Sequence, residues 1–501
     1  MKYVLGIDLG TSSVKVSVVD KMGRMAAQRS ESYDLLQKQI GYSEQNPEDW
    51  VRATTKAIRN IIDLDRINAT EIESLSYSGQ MHGLVLLDDN YRVLRPAILW
   101  NDTRTVEQSR QILKKMGKGF LKITHNLPLE GFTLPKLLWI QDNEPEIFKK
   151  IKVFLLPKDY LRYRMTGHIA TDYSDAAGTV MLDAKKNTWS REICQPFAIP
   201  LEICPPLGNS DAYAGNITKQ YASISQLSTH IKVYVGAADN AAGALGAGIV
   251  REETALCSIG TSGVVLKYAD KSSSSLNGKL HVFNHAIPGK YYMMGVTLSA
   301  GYSLSWLKKI LDNKTTFGKF ILEARHSTIG ANGLLFSPYL VGERTPYDDG
   351  NVRGSFIGLD SNHKQADLVR SVMEGIVFSF KDLLNIYKVN HSEVKSIISI
   401  GGGAKSDLWL QIQADIFDIP VICLTNEQGP GLGAAMIAAV GTGWFQNFQD
   451  CGKEFVERGK IYLPEPKNVQ KYCELYRIYR QIYKATADIS HQLVDFRKKN
   501  F

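Results

Sequence analysis

Gly10-Thr11-Ser12-Ser13 and Gly260-Thr261-Ser262-Gly263 repeat one short pattern half a chain apart. Glycine lets the backbone bend sharply, so that successive N–H groups can converge on one anion. Thr11, Ser12 and Thr261 add hydroxyl donors suited to phosphate oxygens. Asp8 stands just before the first turn, where a carboxylate can hold Mg2+ through water and orient it toward nucleotide β and γ oxygens. Lys15 could add a positive charge, although strand alternation could equally send it to solvent. Either turn alone reads as a hairpin. The pair, each set between apolar strands, reads as a phosphate clamp.

A second chemical candidate is Asp239, alone among small residues in Val233-Tyr234-Val235-Gly236-Ala237-Ala238-Asp239-Asn240-Ala241-Ala242-Gly243. Such a carboxylate leaves room for a substrate and could take a hydroxyl proton during attack on phosphorus. An ordinary helix N-cap explains the same residue about as well. Ser78-Gly79-Gln80-Met81-His82-Gly83 concentrates polar groups on a glycine-flanked turn, where Gln80 and His82 suit sugar hydroxyls and Met81 an apolar wall. Trp100-Asn101-Asp102-Thr103-Arg104 has the same character, and Glu343-Arg344 before Thr345-Pro346 is either a cleft contact or a salt bridge fixing a loop. Gly401-Gly402-Gly403-Ala404, between a strand and a helix, allows close approach of a flat ring, with Ser406 and Asp407 near its polar edges. Gly429-Pro430-Gly431-Leu432-Gly433 opens another helix, whose glycines suit cleft-facing and packing roles alike. No G-x-x-x-x-G-K-[ST] loop and no protein-kinase H-R-D set occurs, so a nucleotide would bind between domains and not on a P-loop.

The elements that must carry these residues alternate apolar runs with helix-like segments, which predicts an α/β fold. Tyr3–Ile7 and Val14–Asp20 predict a strand–turn–strand unit, unlike the strand-to-helix turn of a dinucleotide fold. Ala255–Ile259 and Val264–Leu266 repeat it, which points to an internal duplication with the halves meeting at a cleft. The tail from Gln470 is predicted helical, with Tyr472, Tyr476, Tyr479 and Tyr483 as a packing stripe.

At 501 residues the chain exceeds one ordinary core. Its net charge of +8 is scattered and not drawn into a basic, aromatic-laced stripe, which argues against nucleic-acid binding. Six cysteines lack any C-x-x-C spacing, so neither a zinc site nor a disulfide framework is indicated. The most apolar stretch, Gly429 to Phe445, is rich in Gly and Ala and predicts a buried helix, not a membrane span. A carboxylate at Asp8 comes too early for a secretory leader, and the expectation is a soluble, cytoplasmic protein.

Taken together, these segments resemble the FGGY carbohydrate kinases nearly end to end. Ile7-Asp8-Leu9-Gly10-Thr11-Ser12 is similar to that family's first phosphate motif, Gly260 to Gly263 to its second, and Gly401 to Ala404 to its adenosine motif. Gly131 to Ile140 and Gly354 to Leu359, continuing through Asp367 to Glu374, match its two longer signatures. The resemblance implies an α/β protein of two ribonuclease-H-like (actin-like ATPase) domains around a central cleft. The division is drawn as 1–245, carrying the sugar site and first phosphate motif, and 246–501, binding nucleotide. It implies ATP and Mg2+, with Thr11, Ser12, Gly260, Thr261, Gly403, Ala404 and Asp407 at the nucleotide and Asp8 at the metal. Gly79 to Gly83, Ala97 to Asp102, Leu156 to Arg162 and Asp239 to Gly243 are similar to the ketose-specific branch. That branch implies D-xylulose as acceptor, held by Met81, His82, Asp239 and Asn240, with Asp239 taking the proton of its 5-hydroxyl. Ribulose, gluconate or a polyol stays open as acceptor, as do a non-catalytic actin-like clamp and a homodimer; neither nucleic acid nor membrane is expected as a partner.

Overall fold

The computed structural model describes residues 2–272, 278–311, 314–389 and 393–501. Two mixed sheets organise it. The first is built from β1 (Tyr3–Leu9), β2 (Ser13–Asp20), β3 (Met25–Ser32), β4 (Ile72–Gly79), β5 (Tyr213–Asn216) and β6 (Lys232–Tyr234), in the order β5-β6-β4-β1-β2-β3. The second is built from β7 (Thr254–Ile259), β8 (Gly263–Ala269), β9 (His281–Asn284), β10 (Tyr291–Thr297), β11 (Ser396–Gly401), β12 (Val421–Leu424) and β13 (Arg458–Tyr462), in the order β9-β10-β8-β7-β11-β12-β13.

The two sheets share one wiring. β1 pairs antiparallel with β2 and parallel with β4, while β7 pairs antiparallel with β8 and parallel with β11. Each parallel neighbour then takes a further parallel strand, β6 on β4 and β12 on β11. The two Gly-Thr-Ser turns therefore occupy the same place in each sheet, between its first two strands. The duplication read from three residues extends to whole sheets.

The helices used below are α1 (Pro157–Thr166), α2 (Tyr173–Gly178), α3 (Asp239–Gly246), α4 (Gly301–Leu311), α5 (Gln365–Val389), α6 (Asp407–Phe417), α7 (Gly429–Gly441) and α8 (Pro466–Asn500). On the outer side of the second sheet, α5, α6 and α8 share an apolar core, with Tyr476 and Tyr479 of α8 against Phe378 at ring distances of 5.8 and 5.2 Å. The tyrosine stripe is a packing face, as its spacing predicts.

Between the sheets lie α3 and α7. The latter is apolar all round and so must be covered on every side. Although α7 follows strands of the second sheet, it docks on the first, where Ser74 Oγ donates to Ala438 O at 3.2 Å. Missing side chains make this approach possible. A methyl on Gly433 would come within 1.8 Å of Ala242 O, and one on Gly6 within 2.0 Å of Gly431 O. The packing reading of that glycine-rich segment holds for Gly431 and Gly433, whereas Gly429 and Pro430 line the space between the sheets.

Candidate active site

A cavity of about 360 Å3 separates the halves. Lys15, Asp239 and Asn240 line it from the first half, and Ser258, Ile400 and Glu427 from the second. Asp239 begins α3, but Ala238 occupies the N-cap position and supplies no side-chain cap. The N-cap alternative for Asp239 is thereby removed. Its Oδ1 accepts the Asn240 N–H at 2.7 Å, and among the described residues no other hydrogen bond engages the carboxylate. Burial and the facing charge of Asp8 push the Asp239 carboxyl up to about 7. Asp8, itself pushed up by burial, sits near the end of β1 opposite Lys15 in the β1–β2 register and beside Ser78 of β4.

Two acids raised by burial, Asp239 also by the charge of Asp8, are a poor arrangement unless a cation comes between them and the ligand. Their hard oxygen donors fit Mg2+, which keeps most of its waters and takes few protein ligands. Among the described residues no group of three or more His, Cys, Asp or Glu has metal-binding geometry.

The first phosphate turn is tied to its surroundings. Trp100 Nε1 donates to Thr11 Oγ1 at 2.8 Å, Gln45 Nε2 donates to Thr11 O at 2.7 Å, and Gly10 N donates to Ser13 O at 3.0 Å, with Ser12 exposed. The second is braced by the start of α4: Ala300 N and Tyr302 N both donate to Thr261 O at 3.1 Å, leaving Gly260 and Thr261 exposed. The Gly401–Ala404 turn lies against the end of β7, beside that second turn. Gly401 adopts φ +81° and donates its N–H to Glu427 Oε1 at 2.8 Å. Gly403 is required by packing, since a methyl there would meet Ile259 Cδ1 at 2.5 Å, and Ala404 packs at the edge of the second core. Asp407 is exposed on α6, accepts the Tyr462 hydroxyl at 2.5 Å and lies 3.7 Å from Lys460. Its carboxylate is engaged on the β13 side.

At the turn from Gly79 to Gly83, Met81 Sδ receives the Asn240 side-chain amide at 3.4 Å and faces the Tyr292 hydroxyl at 3.8 Å. His82 takes φ +66°, and its Nδ1 lies 2.7 Å from Gly178 O. A carbonyl can only accept, so Nδ1 carries the proton and Nε2 is left as an acceptor. Burial, then the Lys136 charge, pushes His82 down to about 3, so the ring is neutral. Phe132 lies beside it, tilted by 44° with ring centres 4.4 Å apart, and Phe283 at 6.2 Å and His281 complete an aromatic wall. Gln80 is not part of this wall: its Nε2 donates to Gln45 Oε1 at 3.2 Å and Gly10 O at 3.4 Å, joining the acceptor turn to the phosphate turn. The Glu343–Arg344 salt-bridge alternative is not realised. Glu343 accepts from Thr297 Oγ1 at 2.6 Å and Leu298 N at 3.1 Å, whereas the exposed Arg344 casts its charge on His82 and His281.

Sequence reasoning brought together Asp8, Lys15, Asp239, Asn240, Met81 and His82. It missed Tyr292, Phe283, Phe132 and Glu427, which arrive from distant segments with no local motif. It also missed the buried ions Lys158, Asp159, Arg162, Asp172 and Asp175 behind Asp239. Lys158, Asp159 and Arg162 fall inside the Leu156 to Arg162 segment noted above, but nothing local in the sequence shows that they are buried together with Asp172 and Asp175.

Residues 3–246 match the N-terminal domain of the FGGY family of carbohydrate kinases, and residues 255–442 match its C-terminal domain. Xylulose kinase of Bacillus subtilis (strain 168) is 50% identical over 498 residues, covering 99% of this chain and 100% of that protein. The crystal structure of ligand-bound xylulose kinase from Lactobacillus acidophilus superposes with a TM-score of 0.92 at 28% identity, covering 97% of this chain and 99% of the other. Gluconate kinase from Lactobacillus acidophilus gives the same TM-score of 0.92 and 28% identity, covering 97% and 98%. No helix among the described residues is long and apolar enough to cross a membrane. The chain belongs to the FGGY family of carbohydrate kinases.

Proposed function

We propose that this chain transfers the terminal phosphoryl group of ATP to the 5-hydroxyl of D-xylulose, with Asp239 as general base. The observation that carries the chemistry is Asp239 itself, a cavity-lining carboxylate raised to about 7 and free of capping duty. The choice of sugar is supported by relatives named xylulose kinase that are 50% and 47% identical over 99% of this chain. As the hydroxyl oxygen attacks the γ-phosphorus, its proton passes to Asp239. The bond from phosphorus to the β–γ bridging oxygen breaks, and ADP leaves with that electron pair. Neutral His82 offers Nε2 to a sugar hydroxyl, Asn240 its amide, and Met81 an apolar wall. Thr11 and Ser12 on one side, and Gly260 and Thr261 on the other, would hold the phosphates, with Gly403 and Ala404 toward the adenosine and Asp407 the outermost contact. Mg2+ held through water at Asp8 would neutralise charge on the phosphate oxygens. The reading treats 1–245 as the acceptor half and 246–501 as the nucleotide half, although α7 of the second docks on the first.

Replacing Asp239 by Asn tests the role of base. Nucleotide affinity should stay within about threefold while kcat falls by at least about 100-fold; near-normal turnover would remove Asp239 from the chemistry. A second reading, an aldonate acceptor, is favoured by the Arg344 charge at the acceptor wall. ADP release measured against a panel of ketoses, polyols and aldonates separates the two, and a preference for gluconate would replace D-xylulose.

A further inference from the structure

The segment Val235–Ala238, just before the base, is held by a buried polar network that does not touch the cavity. Arg162 Nη1 donates to Val235 O at 2.7 Å, Gly236 N donates to Ser210 O at 2.9 Å, and Ala238 N donates to Ser174 Oγ at 3.0 Å. Ser174 in turn gives its hydroxyl proton to Asp172, which also accepts the Ser174 N–H at 2.8 Å. Lys158 Nζ lies 2.7 Å from Asp159, 2.9 Å from Asp172 and 3.3 Å from Asp175, and Arg162 lies 2.8 Å from Asp159, all fully buried. Burial pushes the Asp175 carboxyl well up, while Lys158 and Arg162 pair with the neighbouring carboxylates.

Ser174 is in the first turn of α2. At the other end of this six-residue helix, Gly178 O receives the His82 Nδ1 proton. A methyl on Gly178 would stand 2.9 Å from His82 Nδ1 and 2.9 Å from Met81 Cε. One short helix thus touches the turn that carries the base and the turn that carries the acceptor wall.

We infer that α2 sets the spacing between Asp239 and the acceptor pocket, with Ser174 the positioning residue for the base and Gly178 that for His82. The inference rests on the proposed role of Asp239. A hydroxyl held by Asp172 and bonded to the Ala238 amide leaves the first turn of α3 one orientation. A base displaced by about 1 Å loses on the order of 100-fold in rate.

The two ends of α2 should move different kinetic constants. Ser174→Ala is expected to lower kcat by about tenfold or more, with the sugar KM within about twofold and faster hydrogen exchange at the Ala238 amide. Gly178→Ala is expected to raise the sugar KM by about tenfold, with kcat within about threefold. Should the alanine variant not fold, Ser174→Cys keeps the shape with only a weak acceptor and should lower kcat in the same direction. Unchanged kcat in a folded Ser174 variant, or losses in both variants that follow only the folded fraction seen by thermal melting, would overturn the inference. Asp239→Asn, measured alongside, separates the causes. If it keeps turnover, the base assignment fails; if it is inactive while Ser174→Ala is normal, only the positioning role fails.

Discussion

Asp239 and His82 are tuned in opposite senses by burial, the carboxyl pushed up to about 7 and the imidazole down to about 3. For a carboxylate, burial and the neighbouring Asp8 charge favour the protonated form, which cannot accept the hydroxyl proton. As pH falls through the Asp239 value of about 7, kcat/KM should therefore decline. A cation at Asp8 cancels part of the charge that raises Asp239, so raising Mg2+ should move this acid limb to lower pH. Rate profiles at two Mg2+ concentrations check the sign, and a limb that moves upward contradicts it. His82, pushed down to about 3, should add no second limb between about pH 5 and 8.

At the scale of elements, the contact of α3 with α7 decides whether the base stays in place. The helices approach through glycine, not through interlocking large side chains, so added volume has nowhere to go. Gly433→Ala would bring a methyl within 1.8 Å of a backbone oxygen on α3 and should cost about 3 kcal/mol or more of stability in a urea titration. Gly119→Ala, in the helix Lys118–Thr124 with nothing within 4 Å of the new methyl, should be neutral or slightly stabilising. Equal effects at the two positions would mean that the close approach of α3 and α7 is not tight in solution.

For the whole molecule, the cavity has walls from both sheets, while Gly260 and Thr261 remain exposed at the head of the second. Both phosphate turns can grip one nucleotide only if the sheets draw together, which would also expel water from around Asp239. The radius of gyration from small-angle scattering should fall when D-xylulose and a non-hydrolysable ATP analogue are added together. An unchanged profile at saturating ligand would mean that both turns do not serve one nucleotide.

Much of the molecule is legible from the chain alone because its signals are local. Each Gly-Thr-Ser turn sits between its own two strands, so a few consecutive residues specify the phosphate unit and its repeat. Asp239 among small residues is legible in the same way, and the apolar run at Gly429 predicts burial. Local periodicity carries no record of which distant surface an element will meet. The docking of α7 on the first sheet, the aromatic wall at His82 and the Asp8–Asp239 pairing are therefore decided only in three dimensions. So are the engagement of Asp407 with Tyr462 and the separate fates of Glu343 and Arg344. The sequence by itself determined a duplicated α/β chain with two like Gly-Thr-Ser turns and a carboxylate set among small residues. Only the tertiary structure decided which groups share its low-dielectric interior, and their mutual burial is what raises Asp239 and keeps His82 neutral.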